Sequence, residues 1–501
     1  MHEPITTRYR DRLSGVLSCF DRIIITGTLP GACYAAGMTS FLYMHQIRIF
    51  DYTRFAEPLR ERIRTSAHAL ASAAGIEIEH VAKAHIRKED LVAAVLRNRG
   101  DHPGLVHIIS AMEACESYEP WHNKINHKTY LRSTPGKCLH YYFYFMDAEL
   151  GLVYLRVPTW CPFRLQFYLN GHSWLAHKLD ECGVSYALAD NAFIRIDDWE
   201  KAQQLANSFS PDLLHRILDR YAAQCCPVLD AFDVLYHWSL MQVEYSTDLA
   251  FRSDQILHSL YEELSRQAIL SVKAEQVATF LGKKITPQLA QEIGSRFTTR
   301  IEGTCIKHRL GKASVKMYDK FGRVLRLETT TNDVSFFKHH RKVEHRDGSC
   351  DRGLASIKKS IYSLIDLRDV LLGCNRRYLE YLTSLDDFSA GHRNLEKLVG
   401  PVEVEGHKLK GINFFDKAEQ RLMRSLLRPE FNLKGMRRAD LRPFLPSMSA
   451  ASITRQLWRL RKLGVIKKIA GTYRYYLTKI GRSVVAACCR LTEQTIVPAL
   501  S

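Results

Sequence analysis

Three aromatic-rich segments in close succession constrain the fold most. "KCLHYYFYFMD" from 137, "LVYLRVPT" from 152 and "FRLQFYLNG" from 163 are separated by only a few residues. Chains of β-branched and aromatic residues joined by short connections pair with their sequence neighbours, so an antiparallel meander is expected here. "HSWLAHKLDECG" then places Trp174, Leu175 and Leu179 on one helical face, followed by a strand "DNAFIRI" and a helix near 198–208. Upstream, "FDRIIITGTL" (20–29) and "GLVHIISAME" (104–113) read as buried strands. Helical patterns at 55–74 and 88–99 flank a short strand "IEIEHV", which suggests an α/β layer.

The expectation is an α+β multidomain protein. It has an N-terminal α/β layer (1–132), an antiparallel-sheet α+β region (133–232), a further α+β region with a basic hairpin and long helices (233–405), and a C-terminal module (406–501). A loop is expected at "SLDDFSAG" (384–391), and a polar loop at "WHNKINH" (121–127).

Charge bounds the partners. The 501 residues carry a formal net charge of +18, which favours a polyanion and most commonly nucleic acid. No apolar run is long enough to span a bilayer, and the start lacks a secretory signal's apolar core, so a cytoplasmic protein is expected. The thirteen cysteines include no CxxC pair, which argues against a zinc ribbon or a disulfide framework. No Gly-rich phosphate loop follows any strand.

In "SAASITRQLWRLRKLG", Ile453, Leu457 and Leu460 fall on one helical face, while Arg455, Arg459 and Lys462 recur on another and are expected in solvent. "VIKKIAGTYRYYLT" reads as two strands around Gly471, and "KIGRSVVAACCR" as a closing helix. No Asp or Glu occurs from 441 to 492. Helix, helix, basic helix, hairpin, helix resembles the winged-helix domain of MarR-type regulators. The resemblance implies a helix in the major groove of double-stranded DNA and a wing on backbone phosphates. Arg455, Arg459, Arg461, Lys462, Lys467, Lys468 and Arg474 are its candidate contacts.

A second candidate site lies in "SVKMYDKFGRVLRLETTTND" (314–333). With Lys320, Phe321 and Gly322 as the loop, Lys316, Tyr318, Arg326 and Glu328 share one face, and Val315, Met317, Leu325 and Leu327 the other. "Y-D-K" followed by "L-R-L-E" resembles a strand pair of rolling-circle-type replication initiators, although no His-x-His pair is present. That resemblance implies Tyr318 as nucleophile, Lys316, Lys320 and Arg326 on phosphate, and Glu328 as a metal or proton-handling carboxylate. Glu244 and Asp248 are added from "QVEYSTD", with Tyr245 as a second tyrosine. Mg2+ or Mn2+ is the ion such chemistry uses. The bland alternative is a salt-bridged sheet face. Asp21 and Glu113 offer another two-metal reading. Lys338, Arg341 and Lys342 form a further basic stretch.

The function expected is a DNA-processing protein of a mobile element or plasmid, replication initiator or transposase-like, acting at the nucleoid. A non-enzymatic MarR-like regulator working as a homodimer is the alternative. An RNA-binding protein is the third, favoured if the rings of "YYFYF" and "LQFYLNG" are exposed. Single-stranded DNA is a further partner.

Overall fold

The structure is a computed structural model that describes residues 5–83, 85–284, 286–287, 297–302, 305–345, 347–384, 398–404 and 406–491. The chain is mixed α+β. Its contacts group it into two interleaved units, one of Leu17–Thr247 and Thr330–Leu372, the other of Met1–Val16, Asp248–Thr329 and Gly373–Ser501.

The first unit is built on β1 (Leu13–Thr28), β2 (Ile78–His80), β3 (Gly104–Asn123), β4 (Lys128–Asp147), β5 (Gly151–Pro158) and β6 (Leu165–Asn170), with β7 (Tyr186–Ala189) and β8 (Ala192–Ile196) as a separate hairpin and β9 (His237–Phe251) at one side. The large sheet runs β9-β1-β6-β5-β4-β3-β2. The meander of β4, β5 and β6 is antiparallel as expected. Only β2 on β3 is parallel among the registered pairs of this sheet, so the N-terminal strands do not make an α/β layer of their own. The reason is the β3–β4 hairpin, which joins the expected first and second blocks. Its outer end absorbs "WHNKINH": β3 runs to Asn123, β4 restarts at Lys128, and His127 turns the chain at φ 54°.

Side-chain alternation decides which face is core. On β5 and β6, Val153, Leu155, Val157, Leu165, Phe167 and Leu169 are fully buried, while Tyr154, Arg156, Gln166 and Tyr168 are partly exposed. The helix Pro211–Cys225 covers the apolar side, with Tyr221 against Phe145 at 4.4 Å between ring centroids. The segment "FKHHRKVEHRDG" gives the first strand of a hairpin, Lys338–Glu344 with Cys350–Ser356. The helix Leu364–Ser384 follows this hairpin. "SLDDFSAG" lies, apart from its first residue, outside the described residues.

The other unit carries β10 (Phe297–Glu302), β11 (Cys305–Leu310), β12 (Ala313–Lys320) and β13 (Val324–Thr331), in the order β10-β11-β12-β13. Strands β1, β9 and β13 contribute residues to both units. Near the C-terminus, helices Lys417–Leu426, Pro429–Lys434, Arg438–Leu441, Ala450–Lys462 and Lys479–Arg490 surround the hairpin Ile466–Lys468 with Tyr475–Leu477. Leu422, Leu426, Ile453, Leu457, Leu460 and Val485 share one core, which confirms the apolar face read from the spacing. Asp416, Ser449 and Thr478 cap three of these helices through side-chain oxygens, satisfying N–H groups that would otherwise lack partners.

All thirteen cysteines are free. Among the described residues, no helix is long and apolar enough to cross a membrane.

Candidate metal centre and nucleic-acid contacts

Asp21 sits on β1 and is 6% exposed. Its Oδ1 accepts from Asn170 Nδ2 at 3.0 Å and Asn191 Nδ2 at 2.8 Å, and His172 Nδ1 stands 3.3 Å away. Asn170 has two tasks, because its Oδ1 also caps the helix Gly171–Glu181. A Cβ at Gly171 would meet the Phe20 carbonyl oxygen at 2.2 Å, so only glycine lets this helix start against β1. Glu244, on β9, accepts from Gln242 Nε2 at 3.0 Å and Thr330 Oγ1 at 3.3 Å, with Arg22 Nε 3.9 Å away. Glu328, two residues before Thr330 on β13, accepts from Lys316 Nζ at 2.5 Å and Tyr318 Oη at 2.7 Å.

Asp21 and Glu244 are both buried, and each offers a carboxylate oxygen within 4.8 Å of the other. Carboxylates this close in a low-dielectric setting repel strongly unless a proton or a cation intervenes. Two oxygens bound about 2.1 Å from one Mg2+ at right angles stand roughly 3 Å apart, and opposite ones roughly 4 Å. The spacing and the all-oxygen donor set therefore fit a hard divalent cation, Mg2+ or Mn2+.

The hairpin keeps its expected partition but not its solvent exposure. Val315, Met317, Leu325 and Leu327 are buried as expected. The loop is Phe321–Arg323 rather than 320–322, with Phe321 and Gly322 both at positive φ. Lys316 and Tyr318 converge on Glu328. Arg326, however, is fully buried and forks onto Asp248, Nε to Oδ1 at 2.7 Å and Nη2 to Oδ2 at 2.6 Å. This corrects two expectations: Arg326 is withdrawn from phosphate, and Asp248 engages it with both oxygens rather than a metal or DNA. The physical cause is that β13 is buried along its whole length. Tyr245 is also buried and donates to the Ser18 carbonyl, so it is no accessible nucleophile. Lys320 is partly exposed beside the Phe321 ring.

Glu113 joins a different cluster. Although burial opposes it, hydrogen bonds from Tyr142 and Lys88 and the charge of Arg156 hold its carboxyl below the usual range.

The basic positions divide by exposure. Arg455, Arg461, Lys467 and Lys468 are exposed, and Lys462 and Arg474 partly so. Arg459 is buried, its Nη2 lying 2.6 Å from both Glu419 oxygens. Helical spacing placed it outward, but the helix Lys417–Leu426 packs over that side. Lys467 meets Glu275 at 2.7 Å, and Arg474 donates to the Lys434 carbonyl. Lys338 and Lys342 are exposed, whereas Arg341 is partly exposed and donates to the Ser356 carbonyl. Sequence reasoning missed His172, Asn170 and Asn191, since a helix cap and a turn residue carry no sign of the carboxylate they serve.

Compared with known protein families, curated proteins and solved structures, the chain matches none.

Proposed function

We propose that this is a metal-dependent DNA-processing protein that cleaves or transfers a DNA strand. The observation that carries the reading is the pair Asp21 and Glu244, buried and within 4.8 Å of each other. Carboxylates supplied by separate strands are what phosphoryl-transfer centres use to hold Mg2+ or Mn2+. The ion, when bound, would neutralise charge at the scissile phosphate. Asn170 and Asn191 hold Asp21 in place, and Gln242 and Thr330 do the same for Glu244. Arg22 brings positive charge to the edge of Glu244, where a phosphate would approach.

The C-terminal helices and hairpin support a winged-helix reading, in which Arg455 and Arg461 face duplex DNA and Lys468 touches backbone phosphate. The replication-initiator or transposase-like assignment and action at the nucleoid rest on this pairing of a DNA-binding module with an acidic centre.

Tyr318 supports a more specific route. Its hydroxyl already donates to Glu328, a carboxylate able to take its proton as the phenolate oxygen attacks phosphorus and the 3′- or 5′-oxygen leaves. Incubation with supercoiled and single-stranded DNA, with and without Mg2+ or Mn2+, tests both routes on denaturing gels. A protein-linked strand that Tyr318→Phe abolishes establishes attack by tyrosine. Cleavage without a linked strand establishes water as the nucleophile. Intact DNA in every lane overturns the enzyme reading and leaves a non-enzymatic regulator.

A further inference from the structure

The core-averted face of β1, β6 and β5 is polar and carries Arg22, the residue after Asp21. Cross-strand registers align Ile24 with Tyr168 and Tyr154, then Thr26 with Gln166 and Arg156. All six are partly exposed. Tyr154 and Tyr168 stack at 5.0 Å with ring planes 7° apart, and the Arg22 guanidinium lies 6.0 Å from the Tyr168 centroid. Past this step the face opens into a cleft of about 420 Å³, lined among others by Thr26, Thr28, Arg156, Trp160, Arg164 and Gln166. A cleft of this size takes a small organic group.

We propose that this cleft holds an unpaired nucleotide of the DNA strand whose phosphate is processed at the acidic pair Asp21 and Glu244. The inference rests on the reading of that pair as a strand-processing centre. Three observations favour the occupant. First, Arg22 links the pair to this face, its Nε lying 3.9 Å from Glu244 and its guanidinium 6.0 Å from the Tyr168 ring centroid.

Second, the cleft's chemistry suits a base and its phosphate. Gln166 donates one amide hydrogen to the Tyr154 hydroxyl at 3.4 Å, and its carbonyl oxygen and second amide hydrogen suit the edge of a base; the Thr26 and Thr28 hydroxyls, which donate to Met241 Sδ and the His237 carbonyl, keep acceptor capacity. The Trp160 indole, fixed by its N–H to Ser117 at 2.9 Å, supplies an aromatic wall. Third, Arg164 keeps 46% of its side-chain surface exposed while lying 3.3 Å from Glu116. It is placed to exchange that screened pair for a backbone phosphate. A paired base could not enter, because its edge would be occupied by its complement.

The test is fluorescence anisotropy of the full chain with a labelled 12-nucleotide single-stranded DNA, a duplex of the same length and the matching RNA. EDTA is present, so that neither metal loading nor cleavage enters. Arg164→Ala, Gln166→Ala and the cleft-filling Thr26→Tyr should each weaken single-strand binding about tenfold while leaving duplex binding within about twofold. Thermal melts verify that each variant is folded, and tyrosine suits a strand position. Unchanged single-strand affinity in all three, an equal loss on duplex, or tighter binding of RNA than DNA overturns the proposal. Single-strand binding that needs these residues in a protein that never cleaves would remove the enzymatic reading and leave the cleft.

Discussion

At Asp21 and Glu244 burial and charge pull in opposite directions. Burying two carboxylates within 4.8 Å of each other disfavours the folded state unless a cation offsets their repulsion. Mg2+ in hundredfold excess over its dissociation constant should stabilise the wild-type fold by about 2.7 kcal/mol, a rise of a few degrees in Tm. EDTA should reverse that rise. In the pair Asp21→Asn with Glu244→Gln, the melting temperature should become insensitive to Mg2+ and exceed that of the metal-free wild type. A metal-dependent rise that survives both substitutions would place the ion elsewhere.

Lys273 gives a second prediction at this scale. It is 1% exposed, donates to the Leu477 carbonyl at 2.8 Å, and burial, reinforced by the charge of Arg482, pushes its amine down to about 6. The unfolded chain therefore binds more protons than the folded one between about pH 6 and the ordinary lysine range, and stability rises with pH across that window. Lys273→Met should be more stable than wild type near pH 6, and the gap should narrow steadily toward pH 9 in urea melts. A gap that widens with pH would contradict the assignment.

At the scale of elements, the helix Ala450–Lys462 separates buried from exposed cations. Arg455 and Arg461 are exposed, so replacing both by alanine should weaken duplex binding and flatten the salt slope by about two units, one per lost phosphate contact. Arg459→Ala should instead lower the melting temperature, because it leaves Glu419 without its buried partner. The β12–β13 hairpin behaves alike: Arg326→Ala should cost about 3–5 kcal/mol by stranding Asp248. Chemical denaturation measures both. Alternation and helical spacing in the sequence located these elements and their apolar faces, as with Val315, Met317, Leu457 and Leu460. They could not show that Arg326 and Arg459 are buried, because a second element must pack over a polar face before it stops being surface.

For the whole molecule the decisive quantity is the net charge of +18. If binding engages six or more phosphates, raising salt from 50 to 200 mM should weaken non-specific DNA affinity by about a thousandfold or more. A nearly flat salt response would show that the cations are dispersed rather than gathered on a binding face.

The sequence by itself determined the antiparallel meander, the apolar faces, the basic C-terminal run and the acidic residues worth watching, because each follows from local periodicity or composition. Tertiary structure alone decided which acids meet. Asp21 and Glu244 are separated by 223 positions in the chain, and no local pattern encodes which strands become neighbours. The same pairing sent Asp248 to Arg326 and Glu113 to Tyr142, Lys88 and Arg156, since a buried charge is settled by whichever partner the fold brings within hydrogen-bonding reach.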